Sequence, residues 1–278
     1  MESEKTSLDG QTLDTNPVLS HGTETVKLFI MVHGLNGSRN DLVRISESIK
    51  LLIPDAKFYF SSSNEKYCKD GLKNMAYRLA DEINIAMLQY ATVPSLKISF
   101  VCHSFGGLVV RESLKFLVPL RHLLVSYISL CTPHIGSLSD RFLVRTGLRV
   151  LSMLPKLTTY SELGFKDKEK AILQLSNRQE LSWFKNIVLV GTVGDGMVNH
   201  NSALIRLPEG SDDPRLVQIV NSLGEQMRSS KVVRYPITIN ESNSAMDDYF
   251  IGNQIHIKVL FDASIHMPIF QEVKELLI

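Results

Sequence analysis

The stretch Val101-Cys-His-Ser-Phe-Gly-Gly107 places a serine where a run of apolar residues passes into a segment with helical character. A serine on a sharp turn from a strand into a helix exposes its hydroxyl for nucleophilic attack on an acyl carbon. Its neighbours must be small because strand and helix approach closely there, and two glycines follow it. Cys102 stands where glycine is usual and is expected to crowd the turn. We therefore predict that Ser104 is a nucleophile and that His103 packs in the turn; an incidental serine in a glycine-rich turn is the alternative.

A second segment, Val32-His-Gly-Leu-Asn-Gly37, follows the first apolar run of the chain. Acyl transfer develops negative charge on an oxygen, and backbone N–H groups can stabilise that charge. In enzymes with a nucleophile on such a turn, one N–H belongs to the residue after the nucleophile and the other to the loop after an earlier strand. We therefore predict that the amides of Leu35 and Phe105 form an oxyanion hole. An ordinary loop can have the same composition, so this prediction depends on the serine.

Four segments of the chain form a combined pattern: Val32-His-Gly-Leu35, Cys102-His-Ser-Phe-Gly-Gly107, Thr132-Pro-His-Ile-Gly-Ser137, and Gly194-Asp-Gly-Met-Val198 followed by Ser202-Ala203. Together they resemble the family of putative serine esterases, the lipase-like set of the α/β-hydrolase superfamily. The chain departs from the family pattern at Cys102 and at Asn199, which stands where proline is often found. The resemblance implies an α/β-hydrolase fold and a serine hydrolase that cleaves carboxylic esters, with lipids as the favoured substrates. Alternatives are an acyl thioesterase and a binding protein that kept the fold and lost the activity.

The resemblance also implies that the nucleophile is followed along the chain by an acidic residue and then by a histidine. Asp195 follows a predicted strand in a glycine-rich turn, so we predict that it is the acid that orients the histidine. An aspartate in such a turn can instead bind its own backbone. His134 precedes this position and therefore has the wrong order for the base.

Two histidines near the end of the chain are candidates for the base. His256 is predicted to lie in the loop after the last strand, and His266 inside a final helix with Asp262 as its N-cap. We favour His256 because of that loop and because its segment resembles the histidine segment of the family. His266 remains the alternative base, since residues 255–261 could themselves form the last strand.

The elements that position these residues alternate between strands and helices along the chain. Strands are predicted at 27–32, 56–60, 97–102, 123–130, 187–191 and 232–239. Helices are predicted at 40–52, 72–91, 106–117, around 216–223 and at the end of the chain. This alternation predicts an α/β fold with a mostly parallel sheet of about six strands, right-handed crossovers and helices on both faces.

Two regions depart from that alternation. Residues 1–25 are polar and are predicted to form a disordered tail before a single domain at 26–278. Residues of about 136–183 contain helical patterns between two strands, so we predict a helical cap or lid over the carboxyl ends of the strands. Within it, Arg141, Arg145 and Arg149 form a basic stripe beside apolar residues. Such a stripe could contact an anionic membrane surface as a peripheral binding site. The simpler interpretation is that the arginines are solvated and that the apolar residues cover the protein's own site as a lid.

Composition excludes several other classes of function. The chain has 278 residues with a formal net charge of +1, which gives no reason to expect nucleic acid as a partner. Its three cysteines have neither an even count nor metal-ligand spacing, so we expect no disulfide framework and no metal site. The predicted reaction of a serine, a histidine and an aspartate needs no cofactor. The N-terminus lacks the apolar segment of a signal peptide, and no apolar stretch reaches the roughly 18 residues of a membrane span. We therefore predict a cytoplasmic enzyme that acts on a small-molecule or lipid ester.

Overall fold

A six-stranded parallel sheet forms the centre of the protein. The computed structural model describes residues 25–67, 70–136, 169–239 and 248–278. Side chains are described from residue 171 in the third range and from residue 254 in the fourth. The strands lie in the order β2-β1-β3-β4-β5-β6, and every neighbouring pair is parallel. Their bounds are β1 Val26–Val32, β2 Lys57–Phe60, β3 Leu96–His103, β4 Leu124–Leu130, β5 Asn186–Val193 and β6 Lys231–Thr238. The predicted α/β fold with about six strands is confirmed.

Helices pack on both faces of this sheet. Their bounds are α1 Val43–Leu52, α2 Leu72–Met87, α3 Phe105–Ser113, α4 Glu169–Ser176, α5 His200–Ala203, α6 Pro214–Gln226, α7 Asp248–Phe261 and α8 Ala263–Glu272. Successive residues of β1 point to opposite faces, so Leu28 and Ile30 join the core under α2 and α3. Phe29 and Met31 join the core under α1 and α8. Burial on both faces explains why the central strands appear as continuous apolar runs in the sequence.

The strand order reverses between β1 and β3. β2 lies on one side of β1, whereas β3 to β6 follow in sequence on the other side. The two strands end together, since Val32 is the partner of Cys102 in their register. Ligands bind outside the carboxyl ends of the strands at such a reversal. The segments after β1 and β3 therefore meet where an open α/β sheet places its site.

The last two helices correct one sequence prediction. His256 lies inside α7, not in a loop, and residues 255–261 are helical, so the alternative of a final strand there is wrong. The run of apolar and branched residues suits a strand locally, but its buried positions have helical spacing, at 255, 256, 259 and 260. His266 lies within α8, and the Asp262 side chain accepts a hydrogen bond from Ser264 N at 3.0 Å as its N-cap. The predicted final helix is confirmed.

The predicted tail and most of the predicted cap, with its three arginines, lie outside the described residues. The described end of the cap segment contributes to the main core, because Ile172 and Leu175 of α4 are buried with the residues of α3 and α6. Within the described ranges, the structure contains no helix that is long and apolar enough to cross a membrane.

Candidate active site

Ser104 lies on the predicted turn between β3 and α3. Its backbone has φ +52° and ψ −131°, a strained conformation that is uncommon for a residue other than glycine. Its N–H donates to the Leu130 carbonyl of the neighbouring strand at 2.8 Å, which fixes the turn to the sheet. The side chain is partly exposed and lines a cavity of about 320 Å³. The turn therefore presents the hydroxyl at the carboxyl edge of the sheet.

The glycines around this turn are required by close approach. A Cβ on Gly106 would lie 2.7 Å from the Val32 carbonyl oxygen, and one on Gly34 would lie 2.9 Å from the Cβ of Ser104. A Cβ on Gly107 would lie 2.8 Å from the Tyr127 hydroxyl. Real Cβ contacts are longer than these distances, so larger residues would push β1, β3 and α3 apart. The small neighbours expected from the sequence have this steric cause.

Cys102 occupies the core rather than the turn. The side chain is fully buried, and its Sγ donates to the Ile128 carbonyl at 3.2 Å. Burial raises the pKa of this thiol to about 12, so it stays neutral. The thiol therefore contacts the neighbouring strand β4 inside the core.

The predicted oxyanion donors line the same cavity as Ser104. Phe105 is the first residue of α3, so its N–H has no acceptor within the helix. Leu35 follows Gly34, whose carbonyl accepts from Gly37 N at 3.2 Å and from His33 Nδ1 at 2.8 Å. In a trans peptide the carbonyl and the following N–H point in opposite directions. These two hydrogen bonds therefore fix the direction in which the Leu35 N–H points.

Asp195 follows β5 in a turn that begins with Gly194, whose φ is +84°. One carboxylate oxygen, Oδ1, accepts hydrogen bonds from the backbone N–H groups of Met197 and Val198 at 2.8 and 2.9 Å. The other oxygen, Oδ2, lies 2.6 Å from His256 Nδ1. The two sequence interpretations are thus compatible, because one oxygen holds the turn while the other binds the histidine.

His256 is buried and its Nδ1 donates to Asp195, since an ionised carboxylate can only accept. In the neutral ring Nε2 is then the acceptor nitrogen. Ser104 and His256 line the same cavity, although the hydrogen bonds among the described residues do not include one between them. The arrangement can therefore supply a hydroxyl, a proton acceptor and an orienting carboxylate beside one cavity.

The other candidate histidines lie elsewhere. His266 is buried, with Nε2 2.9 Å from Ser48 Oγ and Nδ1 2.8 Å from the Val259 carbonyl, and burial lowers its pKa. His134 is buried against Ser129 and Arg111. Neither ring is among the residues that line the cavity. The structure thus brings His256, and not His266, to Asp195.

His103 makes a contact that the sequence analysis missed. Its Nε2 lies 3.1 Å from the backbone carbonyl of His256. The only sequence signal was its position directly before the predicted nucleophile, Ser104, which suggested packing alone.

Among the described residues, one group has metal-ligating atoms close together. These atoms belong to Cys131, Asp195 and His256 and lie within 4.8 Å of one another. Burial raises the pKa of the Cys131 thiol, and Asp195 and His256 already bind each other. A thiolate ligand is therefore disfavoured at this position.

Known structures of lipases and esterases have the same architecture. The mature form of Bacillus licheniformis lipase BlEst2 is similar with a TM-score of 0.59 and 16% identity, over 93% of this chain and 95% of that chain. Aspergillus fumigatus lipase B gives a TM-score of 0.53 and 14% identity, over 84% and 49%. The Pyrococcus furiosus esterase PF2001 gives 0.51 and 13%, over 92% and 84%. At these identities the similarity establishes the fold.

The family is established by a different match. The family model described as Putative serine esterase (DUF676) matches residues 22–210, a segment that contains the turn at Ser104 and the turn at Asp195. Because this match spans more than half of the chain, the protein belongs to the Putative serine esterase family and is a carboxylic ester hydrolase with the α/β-hydrolase fold.

Proposed function

We propose that the protein hydrolyses esters with Ser104 as nucleophile, His256 as general base and Asp195 as the orienting acid. The observation that carries this proposal is the 2.6 Å hydrogen bond between Asp195 and His256, whose side chains are 0% and 3% exposed. Burial of an acidic side chain costs free energy unless it is paired, and this pair lies beside the cavity that Ser104 lines. A histidine that is hydrogen-bonded to an orienting carboxylate, beside a cavity that a serine also lines, is an arrangement typical of nucleophilic catalysis.

In the proposed mechanism each group has a role in the first half of the reaction. His256 Nε2 takes the proton of Ser104 as the hydroxyl oxygen attacks the carbonyl carbon of the ester. The N–H groups of Leu35 and Phe105 stabilise the resulting oxyanion. Collapse of this intermediate breaks the bond to the alcohol, which leaves with the proton from His256, and the acyl group remains on the serine.

The second half releases the acyl group. Water attacks the acyl-enzyme while His256 takes its proton, and the acid then leaves as Ser104 regains its hydrogen. Asp195 stays ionised throughout and stabilises the imidazolium that forms in each half. In this proposal Ser104 and His256 form their hydrogen bond when substrate occupies the cavity, since catalytic contacts often tighten only in the complex.

The walls of the cavity favour an apolar acyl group, and we propose a lipid ester as the substrate class. Among the described residues that line it, eight of fifteen are apolar. They are Leu35, Phe105, Pro133, Met197, Val198, Ile257, Leu260 and Phe261. Ligand sites of this kind combine an apolar wall with a few polar groups that fix the orientation of the ligand.

A fluorophosphonate probe tests this proposal directly, because it reacts with a serine that a base activates. Ser182 serves as a control, because it is not among the lining residues and its hydroxyl donates to the Gln179 carbonyl. We expect the probe to label wild-type protein and Ser182→Ala, and we expect Ser104→Ala to lose labelling while its unfolding temperature stays unchanged. Hydrolysis of p-nitrophenyl octanoate should be faster than that of the acetate, and both should vanish in Ser104→Ala. Folded wild-type protein that is neither labelled nor active would instead identify a binding protein. Faster turnover of an octanoyl thioester would identify a thioesterase.

A further inference from the structure

His103 joins the nucleophile to the helix that carries the base. It directly precedes Ser104 at the end of β3 and is only 5% exposed. Its Nε2 lies 3.1 Å from the backbone carbonyl oxygen of His256, and the two imidazole rings have centroids 4.8 Å apart. Residues 103 and 256 are thus in contact through a hydrogen bond and through their rings.

The direction of this hydrogen bond follows from its acceptor. A carbonyl oxygen can only accept, so the proton must lie on His103 Nε2. Burial, together with the neighbouring His256, lowers the pKa of His103 to about 3. His103 is therefore a neutral donor with a fixed tautomer, and it cannot serve as a base in the working range of an ester hydrolase.

The acceptor belongs to a helical backbone. His256 lies inside α7, where its carbonyl also faces the N–H four residues later. A carbonyl oxygen has two lone pairs, so it can accept from His103 as well. The contact therefore holds the backbone of α7, whereas Asp195 holds the ring of His256 at Nδ1.

Two anchors of this kind determine the position of the remaining ring nitrogen. Asp195 fixes the tautomer and one end of the imidazole, but the ring still moves with its own backbone. A second hydrogen bond from the residue beside Ser104 ties that backbone to the nucleophile's own strand. A displacement of about 1 Å between reacting groups can lower a rate by about 10²-fold.

We propose that His103 is a positioning residue that holds α7 so that His256 Nε2 faces Ser104. This proposal rests on the proposed function, since it assumes that His256 is the base. His103 acts through His256 and touches no reacting atom.

Three substitutions separate the donor from the packing of the ring. His103→Gln keeps an N–H donor the same number of bonds from Cα, His103→Asn has a donor one bond too short, and His103→Leu fills space without a donor. We expect His103→Gln to retain kcat within about 3-fold, and the other two to lower kcat by about 10- to 100-fold with KM nearly unchanged. The rate of labelling by the fluorophosphonate should fall in parallel with kcat.

A structural readout keeps this test separate from the test of function. The proton between His256 Nδ1 and Asp195 can be followed by NMR, and we expect its signal to be kept in His103→Gln and to broaden through faster exchange in His103→Asn. Wild-type rates and an unchanged signal in His103→Asn would overturn the proposal, even if His103→Leu failed to fold. Equal losses in His103→Gln and His103→Leu would overturn it in favour of ring packing. Failure of the proposed function appears instead as an unlabelled wild type.

Discussion

His256 donates to Asp195 from within a helix, although 61 residues separate the two along the chain. Asp195 is held by its own turn after β5, whereas His256 is held by the packing of α7. The neighbours Val259 and Leu260 are buried in the core under α1 and α8. The position of the proposed base is therefore coupled to the packing of the helix and not to a mobile loop.

The roles of the late histidines predict opposite outcomes for two substitutions. We expect His256→Ala to lower kcat by about 10³-fold or more, because the serine loses its proton acceptor. His266→Ala should retain kcat and lower the unfolding temperature, because it removes the buried contacts to Ser48 and Val259. Steady-state kinetics and thermal unfolding of both variants measure these effects. Collapse of kcat in a well-folded His266→Ala variant would transfer the base to His266.

Asp195→Asn tests the orienting acid in the same way. The amide keeps the shape of the side chain but can present an N–H to His256 and thereby favour the wrong tautomer. We expect kcat to fall by about 10³-fold or more while KM changes little. We also expect Asp195→Asn to lower the free energy of unfolding, because a neutral amide oxygen makes weaker hydrogen bonds to Met197 and Val198 than a carboxylate does. An Asn variant with near-normal turnover would leave Asp195 with its turn role alone.

The sequence predicts the sheet and the turn at Ser104 well for a physical reason. Central parallel strands are buried on both faces, so each appears as a short apolar run, and the glycines at 106 and 107 mark the close approach of α3. The apolar runs and the glycines are local signals, because each can be recognised within one short segment of the sequence. The strand at β3 and the helix that follows it are therefore found where they were expected.

The location of His256 was predicted wrongly because its signal is not local. Ile255-His-Ile-Lys-Val-Leu-Phe261 has the composition of a strand. In the folded protein it is a helix, because packing buries residues four positions apart, 255 with 259 and 256 with 260. The contact between His103 and the carbonyl of His256 likewise joins residues 153 apart. Only the packed structure brings such groups together.

The close approach at the turn predicts an effect of one methyl group. Gly106→Ala would place a Cβ against the backbone carbonyls of Val32 and His33, which cannot move without displacing β1. We expect a loss of about 1–3 kcal/mol in the free energy of unfolding, together with a loss of activity. Gly224→Ala is the matched control, because nothing lies within 4 Å of its Cβ inside α6. That variant should gain up to about 1 kcal/mol, as alanine is the better helix former. Urea unfolding that shows equal changes in the two variants would contradict this account.

Cys102 should matter for stability and not for chemistry. Cys102→Ala removes a buried Sγ and its hydrogen bond to Ile128, which we expect to cost about 1–2 kcal/mol. Cys102→Gly should cost about 0.5–1 kcal/mol more, because glycine is less favourable within a strand. Both folded variants should keep the labelling rate of Ser104. A folded Cys102→Ala variant with a slower labelling rate would show that the thiol takes part in catalysis.

Buried neutral histidines should make the protein less stable as the pH falls. Burial, and then the positive charge of Arg111, hold the pKa of His134 well below its usual value. In the unfolded chain a histidine titrates near pH 6.5, so below that pH the unfolded state binds a proton that the folded state does not. Below about pH 6.5 the free energy of unfolding therefore rises with pH, and this stability is lost progressively as the pH falls.

His134→Gln removes this group. We expect it to reduce the slope of the free energy of unfolding against pH, between pH 5 and 6, by up to about 1.4 kcal/mol per pH unit. Urea unfolding across that range measures the slope, and an unchanged slope in the variant would show that His134 is protonated in the folded protein.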